Sequence, residues 1–285
     1  MASLQRRSLL TRRPEGLRLP LLVCAALTVL ASAPAFAQDS KPFQPVEGQA
    51  GKDVVWVPTP PAMVERMLDV AKVTPQDFVM DLGSGDGRNI IAAAKRGARA
   101  VGVEFNQEMV DLSKKLATEA GVGGANGKAQ FVQGDMYIAD ISQANVLAIF
   151  LLPHNMEKLR DNFLKLKPGS RIVSNTFAIP DWEADYTETM PDCTSSWCTI
   201  LLWYVPAKVE GTWQTPQGAL TLSQQYQRFS GSLGTTPIGE GRINGEQVTF
   251  MLGQSRVTAV VKGTVMEGTI MTNNKPASWR ATKTP

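Results

Sequence analysis

The chain has 285 residues, 43% of them hydrophobic and 19% charged, the make-up of a globular protein with room for one large domain and a smaller companion. Its formal charge of +3 is concentrated at the start: residues 1–37 carry Arg6, Arg7, Arg12, Arg13 and Arg18 against Glu15, and the remainder holds 24 basic and 25 acidic side chains, a net of −1. A near-neutral body lacks the basic face that phosphate backbones require, which argues against nucleic acid as a partner. With His154 as the only histidine, no Cys/His cluster of metal-ligand spacing is possible.

In chain order, residues 1–37 read as an export signal. An arginine-rich start precedes an apolar run from Leu19 to Leu30, interrupted by Pro20 and Thr28. Ala35-Phe36-Ala37 then supplies a small-x-small cleavage site, with Gln38 as the first mature residue. The run falls short of the roughly 20 apolar residues a spanning helix needs, so no stable membrane span is expected after cleavage. Arg6-Arg7-Ser8-Leu9-Leu10 resembles a twin-arginine signal, which carries folded proteins across. The expected destination is the periplasm.

Residues 38–53 are polar, with Gly and Pro, and read as a flexible arm. Pro58-Thr59-Pro60-Pro61 then opens a helix over 62–73, with apolar residues at helical spacing. From there strands and helices alternate: strands at 78–80, 100–104, 129–133, 145–151 and 170–176, and helices at 88–96, 107–120 and 155–166. Alternation of this kind implies parallel strands joined by right-handed crossovers, a doubly wound α/β sheet. Residues 199–205 form a further strand able to close that sheet in antiparallel sense. Cys193 and Cys198 either close a small disulfide loop or remain two half-buried thiols. After Pro206 short β-type runs recur between Gly and Asn-Gly turns, notably Asn244-Gly245, so residues 207–285 read as a small antiparallel β-rich domain, a meander or half-barrel.

The chemistry lies in Asp81-Leu82-Gly83-Ser84-Gly85-Asp86-Gly87, after the first strand. Alternate glycines allow a sharp turn and close backbone approach to a ligand, and the next helix aims free N–H groups at the same place. The dinucleotide pattern Gly-x-Gly-x-x-Gly fails here, because counting from Gly83 the third position is Arg88, where a small residue is needed. An acid at the strand end repels a pyrophosphate and suits a ligand bearing an ammonium group and a sulfonium. Glu104, ending the second strand, is placed for both hydroxyls of a ribose. Asp135, after the third, is placed for an adenine amino group, with Met136 against the ring.

These residues, together with Val57-Pro58-Thr59-Pro60, Ala92-Ala93-Ala94-Lys95-Arg96-Gly97-Ala98, Val101-Gly102-Val103-Glu104 and Leu166-Lys167-Pro168-Gly169, resemble class I S-adenosylmethionine (SAM)-dependent methyltransferases. More narrowly they resemble the small lysine methyltransferases whose mitochondrial members act on the ATP synthase c-subunit and the adenine nucleotide translocase. Phe177 and Pro180-Asp181-Trp182 also fit that group. The resemblance spans roughly residues 54–205, within a methyltransferase-like domain over 54–206, and implies a Rossmann-like seven-stranded sheet. It also implies SAM as cofactor, held by Asp81, Gly83, Ser84, Gly85, Gly87, Glu104, Asp135 and Met136, with the segment around Pro58-Thr59 folding over the methyl-donor end. The expected activity is methyl transfer by in-line displacement to an amine, such as a protein lysine or a small amine. Phe150-Leu151-Leu152-Pro153-His154-Asn155 departs from the Asn/Asp-Pro-Pro-aromatic motif of amide-directed enzymes, which sets amide acceptors aside. His154 is a candidate base at the sheet edge, and Trp56, Trp182 and Trp197 are candidates for an acceptor pocket. The alternative is an exported binding or structural protein that keeps the fold with little or no catalysis.

Overall fold

The computed structural model describes residues 43–191, 193 and 196–284. The export signal and the first residues of the arm lie outside them. Residues 43–57 precede helix α1 (Pro61–Val70), and the chain continues as β1 (Phe78–Leu82), α2 (Arg88–Lys95), β2 (Arg99–Glu104), α3 (Gln107–Glu119), β3 (Ala129–Gln133), β4 (Val146–Ile149), α4 (Pro153–Phe163), β5 (Arg171–Asn175), β6 (Tyr186–Thr189) and β7 (Thr199–Tyr204). The seven strands form one sheet in the order β3-β2-β1-β4-β5-β7-β6, with β1 to β5 parallel and β7 antiparallel to both its neighbours. This is the Rossmann-like sheet the resemblance implies. Its order reverses between β1 and β4, so the ends of β1, β2, β4 and β5 open on one cleft.

Alternation along the strands feeds two cores. Val79, Ala148, Val173 and Leu202 face α1, α2 and α3, packing with Met67, Leu68, Ile90, Ala93 and Val110. Their neighbours Met80, Leu147, Ile172 and Leu201 face the other way, with Met156, Leu159 and Phe163 of α4 and with Trp182 and Trp203. Strand β6 is missed by sequence reading because Tyr-Thr-Glu-Thr is polar and largely exposed. Cys193 and Cys198 are joined in a disulfide, their Cα atoms 5.7 Å apart, in the connection between β6 and β7.

Residues 211–283 are not a half-barrel but a closed one. Strands β8 (Gly211–Thr215), β9 (Gly218–Gln225), β10 (Arg228–Leu233), β11 (Thr236–Asn244), β12 (Gln247–Leu252), β13 (Ser255–Lys262), β14 (Val265–Thr272) and β15 (Lys275–Lys283) run antiparallel to their neighbours, and β15 pairs back onto β8 through Thr282–Gln214 and Lys283–Trp213. Closure removes the sheet edges an open meander would leave. The interior is filled by Trp213, Phe229, Phe250, Trp279 and branched aliphatics, so the barrel encloses a core rather than a channel. The Asn244-Gly245 hairpin forms with a shifted loop, since Asn244 pairs with Gln247 and Gly245-Glu246 makes the turn. Gly245 has φ +59°, the left-handed value that a first turn residue needs in a tight hairpin. Trp182 stacks on Tyr226 at 5.6 Å, and Gln227 Nε2 donates to Glu183 O, tying barrel to sheet. Among the described residues no helix is long and apolar enough to cross a membrane.

Against the expectation of a flexible arm, residues 48–56 fold into a hydrogen-bonded turn. Gly48 N donates to Trp56 O, Trp56 N to Gln49 O, and Gly51 N to Val54 O.

Candidate functional site

The cleft at the strand ends is lined by Asp81, Gly83, Ser84, Gly85 and Asp86 of the glycine loop. Glu104, Asn106 and Met109 line it beside β2, Phe150, Leu152, Phe177 and Trp197 beside β4, β5 and β7, and Gly51, Trp56, Pro58 and Thr59 from the folded arm. Five of the expected cofactor residues therefore share it: Asp81, Gly83, Ser84, Gly85 and Glu104.

Asp81 is buried. Its Oδ2 accepts from Asn89 Nδ2 at 3.0 Å, while Oδ1 has no hydrogen-bond partner. Burial, reinforced by the nearby Glu104 and Asp86 charges, holds its carboxyl well above the usual range, although the Asn89 bond pulls the other way. Asn89 in turn donates to Ala148 O at 3.2 Å, which fixes Asp81 against the end of β4. Nothing in the sequence singles Asn89 out except a polar residue on an otherwise apolar helix face.

Glu104 is held by two backbone donors. Gly85 N reaches Oε2 and Asn106 N reaches Oε1, each at 2.9 Å. The glycine loop is seated by Ser113 Oγ, which donates to Gly85 O at 2.8 Å. Gly85 has φ +54°, and a Cβ there would stand 2.7 Å from Trp56 Nε1. Only glycine allows the indole to close over the loop. Arg88 pairs with Asp86 and donates to Thr59 O at 2.6 Å, drawing the Pro58-Thr59 segment to the cleft.

Three expected cofactor residues fall elsewhere. Gly87 caps α2 with φ +81°, and a Cβ there would strike the Phe131 ring at 2.5 Å, so packing alone requires this glycine. Met136 is buried in the core on the α4 side of the sheet. Asp135 does not line the cleft: it accepts from Tyr137 N at 2.9 Å and pairs with Lys52 of the arm, and the Lys52 bond holds its carboxyl below the ordinary value. His154 is exposed in the first turn of α4, away from the cleft lining. Pro153 begins that helix, so Asn155 and Met156 turn inward and His154 outward. Of the three tryptophans, Trp56 and Trp197 line the cleft and Trp182 lies in the core.

The donor set fits SAM. A buried carboxylate oxygen without a partner suits an ammonium donor, a carboxylate clamped by two backbone N–H groups suits vicinal hydroxyls, and the apolar residues beside β4 and β5 suit a sulfonium methyl. Asp81, Glu104 and the Gly83–Gly85 backbone would hold it.

Comparison with known proteins points the same way. Residues 81–186 match the ANTKMT methyltransferase domain. A protein-lysine N-methyltransferase of Saccharolobus islandicus is 45% identical over 132 residues, covering 45% of this chain and 80% of that protein. The mouse lysine N-methyltransferase named for the ATP synthase c-subunit is 35% identical over 169 residues, covering 57% of this chain and 62% of the relative. A solved RNA methyltransferase of Salinibacter ruber, crystallised with S-adenosyl-L-homocysteine, is 41% identical, with coverage of 54% and 96% and a TM-score of 0.49. The matched regions of the two lysine methyltransferases leave about half of this chain unaccounted for. On its glycine loop, strand-end acids and sheet order, and on the extent of the match to these lysine methyltransferases, the chain belongs to the ANTKMT-domain family and is a SAM-dependent methyltransferase.

Proposed function

We propose that the chain methylates the side-chain amine of a lysine in a protein, and does so after export from the cytoplasm. The observation that carries the acceptor is the two-sided cleft: carboxylates beside β1 and β2, and the aromatic side chains Phe150, Phe177 and Trp197 beside β4, β5 and β7. SAM supplies an electrophilic methyl group on a sulfonium. The chain's own contribution is to align donor and acceptor and to exclude water. An amine attacks only when neutral, and an apolar wall disfavours its charged form. The relatives' names, which specify protein lysines, support the same acceptor, and the near-neutral body of the chain disfavours nucleic acid.

The test is incubation of purified residues 38–285 with SAM and lysine-containing peptides, followed by mass spectrometry. A mass gain of one methyl group on the lysine is expected. SAM binding without modification of any lysine or small amine would leave the non-catalytic alternative.

Export rests on the leader over residues 1–37, and the Cys193–Cys198 disulfide supports an oxidising destination. A folded chain carried by the twin-arginine route would take one bound SAM along, enough for a single methyl transfer, and further turnovers need SAM in the destination compartment. Replacing Arg6 and Arg7 by lysine should retain the protein in the cytoplasm on cell fractionation; unchanged export would remove that route.

A further inference from the structure

The β6–β7 connection brings the disulfide and the aromatic wall together. Thr189 pairs with Thr199 at the end of the ladder, and Met190 N donates to Cys198 O at 2.9 Å beyond it. The disulfide then closes the chain from Cys193 to Cys198 into a small ring, and Trp197 belongs to that ring. Its indole meets Phe177 at 5.4 Å between centroids and Phe150 at 5.8 Å, and the two phenylalanines stack at 5.8 Å with 16° between their planes.

All three side chains are half-buried and line the cleft. Phe150 follows β4 and Phe177 follows β5, so they sit across the glycine loop from Glu104 in the sheet order. Centroid separations of this size mean that the rings pack on one another and leave no gap between them. They form a wall, and a wall offers its surface to an extended alkyl chain rather than enclosing a trimethylated ammonium.

We infer that Trp197, Phe150 and Phe177 form the docking wall for the alkyl stem of the acceptor lysine, with the Cys193–Cys198 disulfide positioning Trp197 within it. This rests on the lysine-amine reading above. Trp197 thereby determines acceptor affinity, and the disulfide acts through Trp197. The polar groups that would anchor the cofactor come from β1, β2 and the glycine loop and share no residue with the ring. A dithiol reagent reduces the bridge to two thiols and is itself oxidised to a disulfide. Freeing the ring means that Trp197 must be ordered afresh at each acceptor encounter, a cost that falls on docking.

The experiment uses residues 38–285 with the bridge formed. Steady-state kinetics on the peptide Ac-Ala-Gly-Lys-Gly-Ala-NH2 and calorimetry with SAM are run with and without dithiothreitol. Reduction should raise KM roughly three- to tenfold, with kcat and the SAM Kd unchanged. Cys193→Ser/Cys198→Ser should show the raised KM without reductant and respond no further to it. Trp197→Ala should raise KM at least as much as reduction, and Trp197→Phe should restore most of the loss. A KM unmoved by reduction, in a chain that methylates the peptide, overturns the inference. A parallel loss of SAM affinity would make the bridge a general support of the cleft and would also overturn it. SAM binding without peptide methylation would instead bring down the acceptor reading, and this inference with it. Should the double serine variant fail to fold, reduction of the unaltered chain decides.

Discussion

Buried polar side chains separate the sheet domain from the barrel. In the sheet domain Thr59, Asp77, Asp81, Ser84, Asn89, Ser113, Asn155, Ser174 and Asn175 are buried, whereas the barrel's one buried polar side chain among the described residues is Gln227, at the junction with the sheet. Burying such groups costs free energy unless each finds a partner. The sheet domain bears that cost around the cleft, where Asp81 Oδ1 and Ser84 Oγ have none. The barrel carries one such atom among the described residues, Trp279 Nε1, and otherwise packs aromatic on aromatic: Phe250 meets Phe229 and Trp279 at 5.7 Å, near edge-to-face in both cases. The sheet domain gathers buried polar groups at its cleft, whereas the barrel's interior is almost wholly apolar.

The largest expected effect tests the barrel's side of that contrast. Trp279 is 3% exposed and central to the barrel core. Trp279→Ala should destabilise the chain by about 3–5 kcal/mol, the usual cost of deleting a buried aromatic, as read from denaturant unfolding. SAM affinity, measured below the transition, should stay within about twofold, since distant sites without shared partners behave additively. A SAM affinity that falls with stability would show that barrel and cleft act as one unit.

What the sequence made legible follows the range of the interactions involved. The glycine loop, Glu104 and the sheet strands with continuous apolar runs are local patterns, and the structure has them within a residue or two of their expected bounds. Barrel closure is not local. It needs Thr282 to find Gln214 across the whole barrel, and β15 is a polar segment whose inward residues are mainly Trp279 and Ala281. In the cleft, Asp81 and Glu104 were legible because a strand end determines where they point. Trp56 was legible as a pocket candidate, but its contact with Gly85 was not, because that depends on how the arm folds back. Asp135 shows the same limit: its place in the chain suggests an open acceptor, and Lys52, 83 residues earlier, occupies it.

A smaller effect tests the cleft's side, through Asp81→Asn. This substitution keeps the shape of the side chain and the oxygen that accepts from Asn89, while removing a charge that burial disfavours. The folded pKa of Asp81 is raised above its ordinary value, so folding favours the neutral form relative to the unfolded chain. Stability without SAM therefore rises as pH falls through that raised pKa, and levels off below the ordinary value of about 3.8. The asparagine variant should thus have a higher thermal midpoint than the unaltered chain at neutral pH. SAM reverses the preference, because its ammonium favours the carboxylate. Binding then releases a proton and weakens as pH falls through the raised pKa. Losing a hydrogen bond to a charged group is worth about 1.5–3 kcal/mol, so SAM affinity should drop roughly ten- to hundredfold in the variant. Calorimetry in buffers of different ionisation enthalpy measures the proton directly: release by the unaltered chain, and none attributable to this site in the variant. A binding heat that ignores the buffer would mean that Asp81 meets SAM already ionised, and the contrast between a polar cleft and an apolar barrel core would lose its clearest residue.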